Sequence, residues 1–272
     1  MKHAPHITIR DLFHIGDLKR CEAVQRSVWG FSDLEVMAAS HLSAAVHAGG
    51  LVAGAWHEEV GRGYQTLCGF IYGFPTYRDG SIGLHSHMMA VLPEYRGLGV
   101  GQRLKWFQRD WCSERELNWV TWTFDPLQAK NAKFNLEHLG GASSEYLVNP
   151  YGELGGDLNG TLPSDRLVIH WDLSRAEVKA LASGTPQTPL TRVPQDATQM
   201  YALHRDKLEP NVTGEPLLYV ATPEDINVLR SENPDKALAW RLAQREVLLE
   251  LFERGYKVTR FANGYYVLEQ QV

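Results

Sequence analysis

The chain has 272 residues, of which 44% are hydrophobic and 22% are charged, a composition that is typical of a soluble globular protein. It excludes a disordered or a fibrous chain. With 27 basic and 32 acidic side chains the formal net charge is −5, so the chain lacks the excess positive charge on which binding to phosphate backbones relies. We therefore expect neither nucleic acid nor a membrane surface as a partner.

The cysteines and the N-terminus indicate the compartment. Cys21, Cys68 and Cys112 are far apart and form no CxxC pair, which is typical of small buried side chains in a reducing environment. Residues 1–16 contain charged residues and proline where a signal peptide needs an apolar stretch. The uncharged run 36–56 is interrupted by histidines and a Gly-Gly pair, which argues against a membrane span. These features predict a cytoplasmic protein.

The first half of the chain is predicted to begin with a strand at 7–12, where apolar and polar residues alternate. A helix is predicted at 17–28, where apolar residues have helical spacing. A second helix is predicted at 38–47. Three strand candidates then follow one another without an intervening helix, which indicates an antiparallel meander. They cover residues 51–56, 66–72 and 82–91.

The middle of the chain alternates helices and strands. The predicted elements are a helix at 100–115, a strand at 119–124, a helix at 129–139 that is closed by Gly140-Gly141, and a strand at 166–173. An antiparallel start followed by this alternation predicts a mixed α/β fold with one βαβ crossover.

A short polar segment with prolines, residues 175–190, is predicted to be a linker between domain 1–174 and a small α/β unit at 191–272. The C-terminal unit is predicted to contain a strand at 216–221 and a helix that begins at Pro234, is capped by Asn233 and ends at Arg254. Asn263-Gly264 between two strand candidates is a strong hairpin signal.

Three alternating glycines, Gly97, Gly99 and Gly101, lie between a predicted strand and a predicted helix. Without Cβ atoms they allow positive φ and bring backbone N–H groups close to an anion, at which the helix also points its positive end. The spacing fits neither a P-loop, which needs GxxxxGK[ST], nor the dinucleotide pattern GxGxxG. It predicts a cradle for a pyrophosphate, the alternative being a turn without a ligand.

The segment Arg96-Gly97-Leu98-Gly99-Val100-Gly101, preceded by Val91-Leu92-Pro93, resembles the [QR]xxGx[GA] motif of the GNAT superfamily of acyl-CoA N-acyltransferases. The resemblance extends over about residues 7–173, but only this motif is highly specific. It implies a bent, mostly antiparallel sheet flanked by helices, with the pantetheine arm of coenzyme A (CoA) between the fourth and fifth strands.

The resemblance also implies acetyl-CoA or another short acyl-CoA as co-substrate. Backbone groups at the end of the fourth strand would pair with the pantetheine amides, and the glycine loop would hold the pyrophosphate. The cofactor-binding residues implied in this way are Met89, Ala90, Val91, Arg96, Gly97, Leu98, Gly99, Val100, Gly101, Gln102, Asn131 and Phe134.

The second motif of the family departs from its usual form. Many members have a tyrosine three residues before the leucine of a closing Leu-Gly pair, and its hydroxyl protonates the leaving thiolate. Counting back from Leu139-Gly140, that position is Leu136, which has no proton to give. Tyr146, Tyr151 or solvent would then supply the proton.

Two histidines of the fourth strand are the candidates for the general base, since an attacking amine must lose a proton. His85 and His87 lie six and four residues before Val91, and with period two they share a face with Met89 and Val91. Histidine suits proton removal near neutral pH. The alternative is a purely structural hydrogen-bonding role. No metal site is expected, because no third potential ligand lies at a spacing from His85 and His87 that is typical of a metal site.

These observations predict an N-acyltransferase that moves an acetyl or a succinyl-like group from CoA to the amine of a small molecule such as an amino acid, in a ternary complex without a covalent intermediate. The alternative is a CoA-binding sensor or scaffold that does not catalyse. Arg166 could meet a substrate carboxylate, although a surface arginine would look the same. A homodimer completed by the C-terminal hairpin is a further interpretation.

Overall fold

The computed structural model describes residues 6–58, 65–152, 162–188, 200–204, 207–209 and 217–270, with the backbone alone for 200–204, 207–209 and 217. The chain divides into two compact units: unit 1, Met1–Thr121 with Gly156–Leu158, and unit 2, Trp122–Gly155 with Asn159–Val272. This division falls within a strand at 119–124, whereas the sequence predicts a boundary at 175–190. The predicted linker contains a helix, Ala176–Ala182.

Unit 1 is built on an open sheet, and its elements agree with the predicted order of strands and helices. The strands are β1 (Ile7–Asp11), β2 (Leu51–Glu58), β3 (Gln65–Arg78), β4 (Ser81–Val91) and the first residues of β5 (Trp119–Phe124); the helices are α1 (Ile15–Trp29), α2 (Ala39–His47) and α3 (Val100–Ser113). The order is β1-β2-β3-β4-β5. The first four strands are antiparallel, and β5 runs parallel to β4. This architecture confirms the predicted mixed α/β fold.

Helices α1 and α2 cover one face of this sheet. The α1 sequence buries Leu18, Cys21 and Val24 at helical spacing and ends at Gly30, whose left-handed backbone donates its N–H to Arg26 O. These side chains join a core with residues of β2 and β3. Burial raises the pKa of the Cys21 thiol to about 12, as expected for an unreactive buried cysteine.

Unit 2 has its own sheet, with the strand order β7-β6-β11-β12-β10-β8-β9. The strands are β6 (Ala142–Leu147), β7 (Arg166–Asp172), β8 (Met200–His204), β9 (Lys207–Glu209), β10 (Leu217–Ala221), β11 (Tyr256–Ala262) and β12 (Tyr265–Gln270); the helices are α4 (Ala129–Lys133), α5 (Ala176–Ala182), α6 (Ile226–Glu232) and α7 (Pro234–Glu253). The helix predicted at 129–139 is α4 followed by a π-helical turn, Phe134–His138. The sequence did not predict β6, β8, β9, α5 or α6.

The C-terminal signals are confirmed. Asn233 caps α7, since its Oδ1 accepts a hydrogen bond from Lys236 N at 2.9 Å, and Asn263 and Gly264 both have positive φ in a tight hairpin. Both strands of this hairpin are paired on their outer sides within the unit, β11 with β6 and β12 with β10. The hairpin therefore offers no free edge to a second copy, and a homodimer stays a prediction.

Gly83 permits the close packing of β4 against Trp119 at the start of β5. A Cβ added at Gly83 would lie 2.3–2.6 Å from indole atoms of Trp119, whose Nε1 donates to Ser81 Oγ at 2.9 Å. We expect Gly83→Ala to lower the free energy of unfolding by about 1–3 kcal/mol, the cost of overpacking. Urea denaturation would measure it, with Gly16→Ala as control because nothing lies within 4 Å of that added Cβ. Equal midpoints for both variants would contradict this packing.

Candidate active site

The glycine loop connects β4 to α3 in a conformation that needs glycine. After Val91 the chain makes one 3-10 turn, Pro93–Tyr95, and α3 begins at Val100. Gly97 and Gly99 have φ of +78° and +75°, and nothing lies within 4 Å of a Cβ added at either position. The backbone of this loop therefore faces open space, as a cradle for a ligand requires.

The same loop presents hydrogen-bond donors. The N–H groups of Val100, Gly101 and Gln102 form the first turn of the 14-residue helix α3, so they have no acceptor within the helix. The first helical bond that reaches back to the loop runs from Arg103 N to Gly99 O at 3.0 Å. Together with the positive end of the helix dipole, these N–H groups can bind a phosphate-type anion.

Three contacts fix the position of the loop. The Tyr95 hydroxyl is hydrogen-bonded to His57 Nδ1 of β2 at 2.8 Å, and Arg96 Nε donates to Val91 O at 3.3 Å. Leu92 N donates to Cys68 O of β3 at 2.9 Å. The cradle is therefore held by β2, β3 and β4, and not by its own residues alone.

The end of β4 has one backbone edge that is not paired in unit 1. Within this unit, the described residues of β4 from 86 to 91 pair only with β3. Because Leu92 N–H points to β3, strand alternation directs the backbone groups of Met89 and Val91 to the opposite edge and those of Ala90 to β3. Of the three residues predicted to meet the pantetheine amides, Met89 therefore presents its N–H and carbonyl at this edge, and Val91 presents its N–H while its carbonyl accepts from Arg96 Nε.

A β-bulge at His87 changes the faces of β4. Met88 is opposite Tyr72 and Ser86 is opposite Gly73, which leaves His87 as the extra residue. Met88 packs on the α1–α2 core, whereas the side chains of Met89 and Val91 lie beside Gly101 of α3. The prediction that His85 and His87 share a face with Met89 and Val91 is therefore wrong, because the bulge reverses the alternation between them.

His85 and His87 do share a face with each other, within a cluster of five rings. Their ring centroids are 6.1 Å apart, and both lie against Phe74, at 5.2 and 5.8 Å. Tyr72 meets His87 edge-on at 5.8 Å, and its hydroxyl is hydrogen-bonded to His41 Nε2 of α2 at 3.0 Å. His41 and Tyr72 were not predicted as site residues. The sequence signal for Tyr72 is its period-two spacing with Phe74, which places the two side chains on one face of β3.

Both histidines are held in the neutral form. Burial, with contributions from His87 and Lys105, lowers the pKa of His85 to about 4, and burial with the neighbouring His41 lowers the pKa of His87. Lys105 is itself fully buried behind β4, where its Nζ donates to Ser86 Oγ at 2.9 Å. Burial lowers its pKa well below the usual value. At neutral pH the two imidazoles can therefore each accept a proton.

The remaining predicted residues lie in unit 2. Asn131 is exposed on α4, and Phe134 packs edge-on against His138 at 6.2 Å. Leu136 is fully buried, so no hydroxyl replaces the missing tyrosine there. Tyr146 donates its hydroxyl to Asp165 Oδ2 at 2.7 Å, and burial beside that carboxylate raises its pKa far above the usual value, which disfavours it as a proton donor.

Neither a metal cluster nor a membrane span is found in the part of the chain that the structure describes. No group of three or more His, Cys, Asp or Glu side chains there has a metal-binding arrangement. No helix among those residues is both long and apolar enough to cross a bilayer.

Comparison with known proteins finds a family match for part of the chain. Residues 19–140 match the family described as Acetyltransferase (GNAT) family. Solved structures with a similar fold include the ribosomal-protein-S18-alanine N-acetyltransferase from Escherichia coli, at 16% identity and a TM-score of 0.48 over 63% of this chain and 96% of that one. Another is yncA from Salmonella typhimurium with its cofactor acetyl-CoA, at 16% identity and a TM-score of 0.48 over 62% of this chain and 95% of that one.

No curated protein sequence matches the chain. The family match covers the meander from β2 to β4, the glycine loop, α3 and β5, which are the elements that build the cradle and carry His85 and His87. Residues 19–140 of the chain thus match a GNAT acetyltransferase domain.

Proposed function

We propose that the protein is an acyl-CoA-dependent N-acyltransferase, which moves a short acyl group such as acetyl or succinyl to the amine of a small molecule. The observation that carries this proposal is the open glycine loop at one end of β4 together with two neutral histidines further along the same strand. The loop offers N–H donors to a diphosphate, and the imidazoles offer acceptors to an amine.

CoA would bind along the end of β4. The N–H groups from Gly97 to Gln102 would hold its diphosphate, since the Arg96 N–H already donates to Pro93 O at 3.1 Å. The outward backbone groups of Met89 and the outward N–H of Val91 would pair with the pantetheine amides as another strand does. Acetyl-CoA, which accompanies yncA in its structure, is the donor to test first.

The chemical step needs a base and a departing thiolate. His85 or His87 removes a proton as the amine nitrogen attacks the thioester carbon, and the carbon–sulfur bond breaks to release CoA thiolate. A covalent acyl-cysteine is disfavoured, because burial raises the pKa of the Cys68 thiol to about 11 and that of Cys112 to about 12. Tyr151 or water would protonate the thiolate, since Leu136 has no proton to give and its raised pKa disfavours Tyr146.

A CoA-binding sensor without catalysis is the second candidate. The observation that favours it is the loss of the family's tyrosine, since Leu136 is buried and Tyr146 is bonded to a carboxylate. Such a protein would keep the cradle and bind CoA, but it would not use the histidines as bases.

A thiol-release assay separates the two functions. We expect the protein to release free CoA from acetyl-CoA or succinyl-CoA in the presence of an amino acid or a polyamine, at rates that depend on the amine. Omission of the amine is the control for simple hydrolysis. Tight CoA binding in calorimetry without amine-dependent release across the panel would favour the sensor, and absence of CoA binding would exclude both.

A further inference from the structure

Unit 1 contains a second cavity, which lies at the opposite end of α3 from the glycine loop. Its volume is about 140 Å³, and it is formed where β1 ends, β2 begins and the helices α2 and α3 end. The side chains that shape it are Asp11, Phe13, Val46, Leu51, Trp111 and Arg115.

This cavity is separate from both parts of the proposed active site. Trp111 follows Val100 by eleven residues on α3, which places it about 16 Å along the helix from the cradle. Two strands, β2 and β3, lie between β1 and β4, so Asp11 is about 14 Å from the strand that carries His85 and His87. A ligand of this cavity therefore does not take part in the acyl transfer proposed above.

Asp11 brings a carboxylate without a direct partner into the cavity. Its Oδ1 is buried and accepts no hydrogen bond, and neither oxygen forms an ion pair with any residue that the structure describes. Burial raises the pKa of Asp11, although the charge of Arg115 opposes this shift. Buried carboxylate oxygens are normally satisfied by a donor, so this one is available to a ligand.

Arg115 lines the same cavity but makes its contacts elsewhere. Its Nη1 donates to Trp111 O at 3.1 Å and lies 3.5 Å from Glu114 Oε2. Its guanidinium carbon lies over the Trp111 ring, 4.0 Å from the centroid. These contacts hold Arg115 at the rim, and they leave the Oδ1 of Asp11 to another donor.

The charges around the cavity favour a cation. Asp11 and Glu114 carry two negative charges against the single positive charge of Arg115. Val46 is in the last turn of α2 and Trp111 is in the last turn of α3, so both helices end beside the cavity. The negative ends of their dipoles add to the field of the carboxylates.

The walls favour an organic cation over a metal ion. Phe13, Val46 and Leu51 are apolar, whereas Ca²⁺ or Mg²⁺ needs about six oxygen ligands. Among the described residues, no group of three or more potential metal ligands is found. A cavity of about 150 Å³ holds one benzene molecule, so this one has room for a group of about five or six heavy atoms.

We propose that this cavity binds a small primary alkylammonium ion, at a site distinct from that of the acyl acceptor. The ammonium group donates to Asp11 Oδ1, and the alkyl chain packs against Phe13, Val46 and Leu51. Butylamine, which has five heavy atoms and is protonated at pH 8 like a lysine side chain, is the probe.

Calorimetric titration without CoA tests the charge requirement. We expect butylamine to bind the wild type about tenfold more tightly than 1-butanol, which has the same chain but no charge. Asp11→Asn keeps the shape of the side chain and removes its charge, and should weaken butylamine binding about tenfold or more. Butylamine that also binds as an acceptor gives a second component of the heat, which Asp11→Asn leaves unchanged.

Asp110→Asn is the matched control. Asp110 also lies in unit 1, on α3 next to Trp111, but its carboxylate is exposed and pairs with Arg109 at 2.7 Å outside the cavity. This variant should bind butylamine as the wild type does, and thermal unfolding verifies that both variants are folded. Equal affinities of Asp11→Asn and Asp110→Asn, or equal binding of butylamine and 1-butanol to the wild type, would overturn the proposal.

The indole N–H resonance of Trp111 reports the location of the bound amine. Trp111→Phe assigns this resonance among those of the eight tryptophans. Butylamine should shift it in the wild type and in Asp110→Asn, with the same midpoint as the heat that depends on Asp11. A resonance that stays in place at saturation would overturn the site. This outcome is independent of acyl transfer, because the measurement needs neither CoA nor turnover.

Discussion

Replacing Gly99 by alanine is expected to weaken the binding of acetyl-CoA by about 100-fold while the chain stays folded. At φ of +75° a Cβ costs about 1–2 kcal/mol, and this Cβ would enter the open space that a diphosphate must occupy. Each lost charge-assisted hydrogen bond adds about 1.5–3 kcal/mol, and 1.4 kcal/mol corresponds to a tenfold change in affinity. Calorimetric titration with acetyl-CoA would measure the effect.

Gly30→Ala is the matched control for this variant. Gly30 also lies in unit 1, with φ of +68° and nothing within 4 Å of an added Cβ, but it ends α1 and is not part of the cradle. Both substitutions introduce similar backbone strain, so thermal unfolding should respond alike. Acetyl-CoA affinity should fall in Gly99→Ala alone. An equal affinity of the two variants would show that the glycine loop does not bind the CoA diphosphate.

The cradle could be predicted from the sequence because its geometry is local. Gly97, Gly99 and the start of α3 lie within a few residues of one another, so strand, turn and helix signals were enough to predict the open loop. The faces of β4 could not be predicted in the same way. The bulge at His87 depends on the register between β3 and β4, and one extra residue moves every later side chain to the other face.

The polar clusters were missed for a related reason. His41 meets Tyr72 across 31 residues of sequence, and Arg241 meets Asp125 across 116. No period within one element encodes such contacts, since they depend on how a helix packs on its sheet. The sequence identified Arg166 as a candidate for a carboxylate, but its unsatisfied Nε and the unsatisfied Nε and Nη1 of Arg241 became visible only in the folded unit.

Replacing both His85 and His87 by alanine is expected to lower kcat/KM by about 10²- to 10⁴-fold, the usual contribution of a general base. CoA affinity should be unchanged, because the diphosphate is held by the glycine loop and not by these side chains. His47→Ala is the control, since His47 is an exposed histidine of α2 outside the ring cluster. Activity in the double variant equal to that of the control would exclude both residues as the base.

The pH dependence of kcat/KM shows which of His85 and His87 is the general base. A base acts in its neutral form, so the lowered pKa values keep the wild type active below the ordinary histidine pKa of about 6.5. The value of kcat/KM then falls near pH 4 if His85 is the base, or at the lowered pKa of His87 if His87 is the base. A profile of His87→Ala that retains the fall in kcat/KM near pH 4 assigns the base to His85.

The same pKa shifts affect folding: the stability that the neutral imidazoles contribute is full above about pH 6.5 and is lost as the pH falls towards 4, because the unfolded chain then binds more protons. Circular dichroism over this pH range must therefore show whether a loss of activity comes from unfolding or from protonation of the base. The variant with both His85 and His87 replaced by alanine should lose less free energy of unfolding between pH 7 and pH 5 than the wild type does. Equal losses would mean that the two imidazoles are not buried as neutral groups.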